Sequence, residues 1–266
     1  MAGSLTSTGA VLAILRHEGP LTRAELLERT GMARSTLVER VDVLRRNGLV
    51  RDAEVRRGTG GRPATALAFH GAHRGLLVID LGATHGTFAL ADLDLTLRTA
   101  QRHRLDTLDG PAVVLPQVIE AARQVLDPAL PLLGVGVGFP GPVAPDRAHL
   151  DEQTMMRGWD HVDLAAALGA AFGVPVLVEN DANAMAFGEH VAAGQGGESL
   201  LVVKVSTGIG AGLIVNGSLH RGASGGAGEI GHVRLAGREE RCTCGSRGCL
   251  GAVASGRSLL RELRSR

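Results

Sequence analysis

The 266-residue chain is poor in the residues that mark several large protein classes. It has three cysteines, one tryptophan, no tyrosine and a single lysine, Lys204, among its 28 basic residues. The odd cysteine count, with no basic region before the first short apolar run, argues against a secreted disulfide framework. Apolar runs end well before the roughly 20 residues that a membrane span needs. These absences predict a cytoplasmic protein without a membrane partner.

All three cysteines fall in one stretch, 229–249, which also contains a histidine. His232, Cys242, Cys244 and Cys249 supply one imidazole and three thiols. That is the number and type of ligands in a closed structural zinc site. The alternative is a group of buried free thiols. The clustering of all four ligands, with no cysteine elsewhere, favours structural zinc.

The first 70 residues carry a local positive charge, with eleven Arg against seven Asp and Glu. Apolar residues recur at helical spacing up to Gly19, which predicts a first helix that ends there. A second helix begins at Thr22, where Glu25 completes a capping box. A third runs from about Ala33 to Asn47. Two helices joined by a short glycine-containing turn form the helix-turn-helix pattern.

The third helix and the segment after it carry the candidate DNA contacts. The helix exposes four polar residues that can reach bases or phosphates: Arg34, Ser35, Thr36 and Arg40. Two β-prone runs, 49–56 and 64–69, flank a glycine-rich turn and predict a wing. Three arginines of the wing suit phosphates and the minor groove: Arg56, Arg57 and Arg62. The alternative is a generic three-helix module with a solvated basic face, but the helix pair, the wing and the basic surplus together favour DNA binding.

After residue 74 the pattern changes to alternating strands and helices. Two strand–turn–strand units, 76–91 and 200–215, each contain a Gly/Thr turn of the kind that can hold phosphate. The candidate phosphate residues are Asp80, Gly82, Thr84, Thr207, Gly208 and Gly210. An ordinary hairpin turn is the alternative for each. The repetition predicts two similar lobes around a cleft.

A polar cluster, 179–183, follows a buried strand and precedes a helix. Ligands of open α/β sheets bind at the carboxyl ends of strands. Asp181 is placed to act as a general base towards a hydroxyl, and Asn180 to hydrogen-bond a polyol. A helix-capping group is the alternative, but it accounts for one polar residue and not for four.

Several motifs together resemble the ROK family (repressor, open reading frame, kinase). They are ENDANA (179–184), STGIGAG (206–212), GEIGH (228–232), CTCGSRGCL (242–250), DLGAT (80–84) and GFPGPV (138–143). The resemblance implies an actin-like, ribonuclease-H-like ATPase fold after the winged helix. It implies sugar contacts from Asn180, Asp181, Glu229 and His232, with Asp181 the base in kinases. The zinc ligands agree, and the winged head is similar to that of the repressor branch.

Three features depart from the family pattern. Gly251 stands where members carry a glutamate that touches sugar, so one acceptor is missing. Ala83 stands where kinases have a second glycine, and its Cβ narrows the space for phosphate. The chain is also shorter at its C-terminus than complete members, so the second lobe is expected to be incomplete.

The sequence therefore predicts three regions: a winged helix-turn-helix at 1–70, a first ROK lobe at 74–190 and a partial second lobe with the zinc loop at 191–266. The expected function is a sugar-responsive repressor of carbohydrate genes. It would bind operator DNA as a homodimer or homotetramer and respond to a sugar or sugar phosphate. Two alternatives stay open: a sugar kinase using ATP and Mg²⁺, and a fragment that binds DNA without sensing sugar.

Overall fold

The computed structural model describes residues 6–55, 64–144, 158–159, 162–194 and 199–265. The chain divides into two compact units. The first comprises residues 1–76, 91–98 and 127–133, and the second comprises residues 77–90, 99–126 and 134–266. Among the described residues, no helix combines the length and the apolar character that crossing a bilayer requires.

The secondary structure alternates along most of the chain. The helices are α1 (Thr8–Glu18), α2 (Arg23–Thr30), α3 (Arg34–Arg46), α4 (Pro111–Gln124), α5 (Leu164–Phe172), α6 (Asp181–Ala192), α7 (Leu250–Ala254) and α8 (Gly256–Ser265). The strands are β1 (Leu21–Thr22), β2 (Val50–Val55), β3 (Ala64–Phe69), β4 (Gly75–Leu81), β5 (His85–Asp92), β6 (Leu97–Arg104), β7 (Leu132–Phe139), β8 (Val176–Asn180), β9 (Ser199–Val205), β10 (Ile209–Val215) and β11 (Ser218–Leu219).

The first unit contains the winged helix. Helices α1, α2 and α3 bury one apolar cluster that includes Leu15, Leu26 and Leu37. Three strands complete it in the order β1-β3-β2, with β2 and β3 antiparallel. The predicted capping box is present, because Thr22 accepts from the Glu25 amide and Glu25 accepts from the Thr22 amide.

The predicted helices and wing strands of this unit are confirmed to within one or two residues. Gly31 ends α2 in the left-handed conformation, at φ 64°, which a glycine adopts without strain. The turn between β2 and β3 lies outside the described residues. The three predicted phosphate contacts in it, Arg56, Arg57 and Arg62, therefore stay predictions.

A five-stranded sheet forms the first half of the α/β region, in the order β6-β5-β4-β7-β8. Strands β7 and β8 are parallel, and Phe139 is in register with Asn180. Helix α4 buries Val114 and Val118. Val113, beside Val114, is 47% exposed, so it lies outside the buried stripe of this amphipathic helix.

A second sheet has the order β11-β10-β9, with antiparallel neighbours. Helix α6 packs on it. A Cβ at Gly212 would lie 2.4 Å from the carbonyl oxygen of Ala182 and 2.5 Å from the Ala186 Cβ. The predicted turn from 206 to 212 is therefore too long, because Gly210 and Gly212 are strand residues. Gly212 lacks a side chain because a helix packs directly against its backbone.

The only tryptophan of the chain is fully buried in the second unit. Trp159 donates from Nε1 to the carbonyl oxygen of Thr107 at 2.9 Å. Its ring lies 5.2 Å from that of Phe139, centroid to centroid. Its fluorescence will therefore report on the packing of this unit alone.

Candidate functional site

The four predicted zinc ligands converge. The ligand atoms of His232, Cys242, Cys244 and Cys249 all lie within 4.8 Å of one another. The Sγ atoms of Cys244 and Cys249 are 3.6 Å apart, and the three cysteines are free rather than disulfide-bonded. Four ligands at zinc-bond distances around one ion would be separated by about 3.8 Å. The cluster therefore fits a tetrahedral metal ion.

His232 is shared between this cluster and a carboxylate. Its Nδ1 lies 3.5 Å from the Sγ of Cys242, and its Nε2 lies 3.8 Å from Oε2 of Glu229. A metal on Nδ1 fixes the ring and leaves Nε2 for a second partner. Burial raises the pKa of Glu229; His232 lowers it, and the charge of Asp181 raises it further. Glu229, His232 and Asp181 therefore occupy one neighbourhood.

The junction of β8 and α6 supplies the predicted hydroxyl-binding residues. Asn180 is the N-cap of α6, and its Oδ1 accepts from the amides of Ala182 and Asn183 at 3.0 Å. Its Nδ2 donates to the carbonyl oxygen of Gly141 at 3.1 Å. The capping alternative thus explains Asn180, and one Nδ2 hydrogen remains for a ligand.

Asp181 forms the first residue of α6 and carries an ion pair. The Nζ atom of Lys204 lies 2.6 Å from its Oδ2, and its own helix contributes the Ala182 amide at 2.7 Å from Oδ1. Burial raises the pKa of Asp181, Lys204 opposes this shift, and the charge of Asp80 adds to it. The carboxylate therefore has a fixed cationic partner.

Glu179 and Arg221 form a second ion pair beside Asp181. Arg221 donates from Nε and Nη2 to Oε2 of Glu179 at 2.9 and 2.6 Å. The Asn183 Nδ2 and the Asn180 amide donate to Oε1 at 3.3 and 3.1 Å. Among the described residues, the Oδ1 of Asn183 is the buried side-chain atom without a hydrogen-bond partner. Arg221 links the glycine-rich segment before Glu229 to the C-terminal end of β8.

The first predicted phosphate turn, Gly82–Thr84, joins β4 and β5. Asp80 points to the region of Asp181, because a Cβ at Gly138 would lie 3.1 Å from the Asp80 Oδ1 and 3.8 Å from the Asp181 Cα. Gly138 therefore leaves space for two neighbouring carboxylates. His85 follows the turn; burial lowers its pKa, Lys204 lowers it further and Asp80 raises it.

The second phosphate turn, predicted at 206–212, is limited in the structure to Ser206–Gly208, between β9 and β10. The carbonyl oxygens of Ser206 and Thr207 accept from the amides of Gly256 and Arg257, at the start of α8, at 2.8 and 3.3 Å. Gly208 has open space where a Cβ would be. Gly210 lies beyond the turn and faces Ala182, so it supports helix packing.

Helix α3 exposes the predicted DNA contacts unequally. Arg34 and Ser35 are exposed, and Thr36 and Arg40 are half-buried. The Nε of Arg40 donates to the carbonyl oxygen of Thr6 at 3.4 Å. Val38, which the sequence reading did not select, is 48% exposed on the same helix. Arg34 and Ser35 are therefore the most accessible of the four contacts predicted on α3.

Comparison with known proteins agrees with this geometry. The model of the ROK family matches residues 76–266. The chain belongs to the ROK family. The model of the MarR family matches residues 4–58, which include the three helices and strand β2 of the winged helix. A ROK domain and a MarR-type winged helix thus share one chain.

The xylose repressor of Bacillus spizizenii is 33% identical over 252 residues, which cover 93% of this chain and 65% of the relative. The chain thus spans about two thirds of that repressor's length. A solved ROK family transcriptional regulator, a homologue of the E. coli Mlc protein, aligns with 99% of this chain and 67% of its own at a TM-score of 0.78. Its identity of 24% supports the fold alone.

A ROK family glucokinase from Streptomyces griseus, solved with glucose and AMPPNP, aligns at a TM-score of 0.61 with 31% identity. It covers 72% of this chain and 60% of its own. Both a regulator and a kinase are therefore among the structural relatives of this chain.

In the structure, Asp80, Asp181, Glu229 and His232 lie in one neighbourhood. The sequence pattern predicts no role for two polar residues there, Lys204 and Arg221. The rarity of lysine in an arginine-rich chain was the available signal for Lys204. Arg221 carries no comparable signal, since it is one of 27 arginines.

Proposed function

We propose that this ROK family protein is a sugar-responsive, DNA-binding repressor of carbohydrate genes. The observation that carries the proposal is the union, in one chain, of a MarR-type winged helix with a ROK domain whose polar cluster surrounds Asp181. A xylose repressor is similar over 93% of the chain. The winged helix would recognise an operator, and the cluster would hold the effector.

Operator binding would use the exposed side of α3. Arg34 and Ser35 stand at its N-terminal end, which is the part of a recognition helix that enters the major groove. The arginines predicted in the wing would contact backbone phosphates, giving a salt-dependent share of the affinity. Recognition of a palindromic operator would require a homodimer or homotetramer.

The effector would be a sugar bound near Asp181, Glu229 and His232. Carboxylates and an imidazole Nε2 together accept and donate hydrogen bonds to vicinal hydroxyls. Structural zinc on His232 and the three thiolates would hold the imidazole in place. Sugar would weaken operator binding only if it binds the free form better than the DNA-bound form.

The decisive experiment measures operator affinity with and without sugar. Operator DNA is selected from a random library with the wild-type protein, and binding is followed by fluorescence anisotropy. Arg34→Ala should weaken binding by about 1–3 kcal/mol if Arg34 contacts a base edge. The matched control is Arg123→Ala, which also removes one positive charge, from an exposed position on α4. D-xylose and D-glucose are then titrated into the complex.

Equal affinities of the Arg34→Ala and Arg123→Ala variants would refute the role of α3. Calorimetry without any sugar heat, combined with normal DNA binding, would favour the non-sensing alternative. The similarity to a glucokinase keeps sugar kinase as the second candidate, with Asp181 as base. Sugar-dependent ADP release with MgATP, lost in Asp181→Asn, would establish that candidate instead.

A further inference from the structure

Lys204 is the only lysine of the chain, beside 27 arginines. It lies on β9, and its ammonium contacts the carboxylate of Asp181 at 2.6 Å. The side chains are 27% and 13% exposed, so the pair is largely shielded from water. Lysine carries a compact point charge, whereas the wider guanidinium of arginine distributes its charge over a planar fork. The chain has arginine at every other Lys or Arg position, and it has lysine only at the position that faces Asp181.

Both oxygens of Asp181 already accept a hydrogen bond, Oδ1 from the Ala182 amide and Oδ2 from Lys204. Hydrogen bonds from an amide and an ammonium stabilise the ionised form of a carboxylate over its acid form. A general base must take a proton from a sugar hydroxyl while the phosphoryl group moves to that oxygen. Here that proton transfer would disrupt a shielded ion pair.

We propose that Lys204 is a positioning residue that converts Asp181 from a general base into a fixed hydrogen-bond acceptor for a neutral sugar. The inference rests on the proposed sugar-sensing function and specifies the ligand class of the same site. The site holds the sugar through the charged carboxylate and does not transfer phosphate to it.

The charges around the pair favour a neutral ligand. Asp80 on β4 and Glu229 before the zinc cluster both interact electrostatically with Asp181. Lys204 and the partly buried His85 carry the opposite character there, and Arg221, paired with Glu179, adds a second permanent cation. Arg102, which interacts with His85, is a third. The four carboxylates, including Glu179, still outnumber the three permanent cations, which gives a negative local potential that repels a phosphate dianion but not a polyol. D-glucose should therefore bind more tightly than glucose 6-phosphate.

The test compares wild type, Lys204→Met and Lys204→Arg by calorimetry with D-xylose, D-glucose and glucose 6-phosphate between about pH 5 and pH 8. Methionine keeps most of the volume and removes the charge. Without Lys204, burial and Asp80 act on Asp181 with less opposition, and its pKa rises. Affinity for the neutral sugar should fall about tenfold or more towards acid pH in Lys204→Met, and the fall should begin at a higher pH than in wild type, where Lys204 opposes the rise in the pKa of Asp181. Lys204→Arg should restore the wild-type profile.

Lys204 also lowers the pKa of His85, so the comparison is repeated in a His85→Gln background. Glu229 and Asp80 are unchanged in all of these proteins, and a difference between the pH profiles that persists in that background reports on Asp181. Identical affinity and pH dependence in wild type and Lys204→Met would overturn the inference. Tighter binding of glucose 6-phosphate than of glucose would also overturn it. Sugar-dependent ADP release by the wild type, abolished in Asp181→Asn, would overturn the inference as well.

A second readout separates this inference from the proposed function. If the wild type binds no sugar, sugar sensing fails, and the state of Asp181 is then measured by ¹³C NMR titration of its carboxyl carbon. Asp181→Asn assigns the resonance. The titration midpoint should rise by about one pH unit or more in Lys204→Met. An unchanged midpoint would refute the role of Lys204 by itself.

Discussion

Replacing Arg221 with methionine should destabilise the second unit through one defined loss. Arg221 donates two hydrogen bonds to Oε2 of Glu179, at 2.9 and 2.6 Å. Methionine keeps an unbranched apolar side chain and removes both donors and the charge. The Glu179 side chain, 11% exposed, would keep its negative charge and its contacts with Asn183 and Asn180. A shielded carboxylate would thus lose its cation.

The expected cost follows from the burial of the two partners. Removing one member of a fully buried ion pair costs about 3–5 kcal/mol, because the other charge stays desolvated. The Arg221 side chain is 33% exposed, so water can partly replace it. We therefore expect a loss of roughly 2–3 kcal/mol, between the values for exposed and buried pairs. Such a loss should lower the urea midpoint by about 1 M.

Trp159 provides the assay. It is buried in the same unit as Arg221, and it is the only tryptophan, so its fluorescence follows this unit without a contribution from the winged helix. Urea unfolding is measured for wild type, Arg221→Met and the control Arg123→Met. Arg123 is exposed on α4, and its replacement should change stability by no more than about 0.5 kcal/mol.

A double-mutant cycle decides whether the loss comes from the stranded charge. Glu179→Gln removes the negative charge that Arg221 compensates. If the ion pair causes the loss, the combined variant should be at least about 1 kcal/mol more stable than the sum of the single losses predicts. Strictly additive losses, or an Arg221→Met variant as stable as Arg123→Met, would refute the reasoning.

Two further predictions concern the same unit. Chelation of metal, or Cys249→Ser, should lower the urea midpoint of unfolding reported by Trp159, because structural zinc can contribute roughly 10–16 kcal/mol. Added zinc should restore the midpoint of the chelated wild type. Chelation without effect on the midpoint would contradict a structural metal. Asn180→Ala should cost about 1 kcal/mol through loss of the α6 cap, whereas Asn180→Ser, which keeps an accepting oxygen, should cost less in the same urea assay. Both variants lose the hydrogen bond from Nδ2 to the Gly141 carbonyl, so equal losses would exclude capping as the main role.

Local signals made the winged helix predictable from the sequence. The capping box at Thr22 and Glu25 and the glycine that ends α2 each depend on residues within a few positions. The cluster of His232 and the three cysteines was predictable for a different reason, since its four side chains are rare residue types concentrated in eighteen positions. Both kinds of signal can be read without knowing how distant segments pack.

The contacts around Asp181 could not be predicted in the same way. Lys204 is 23 residues from Asp181 and Arg221 is 42 residues from Glu179, so neither pair has a local pattern. The glycines after Thr207 were misleading, because a run of alternating glycines is typical both of phosphate turns and of strands that a helix covers closely. Packing decides between these, and the sequence does not encode it locally.

Those glycines connect the fold to the proposed effector site. Gly212 lets the first turn of α6 lie directly on β10, because any side chain there would collide with the carbonyl of Ala182. Asp181 immediately precedes Ala182, and Lys204 lies opposite Gly210 on the neighbouring strand β9. The close approach of helix and sheet therefore brings the ammonium to the carboxylate. A larger residue at Gly212 would move α6 away and separate Lys204 from Asp181, although it touches neither.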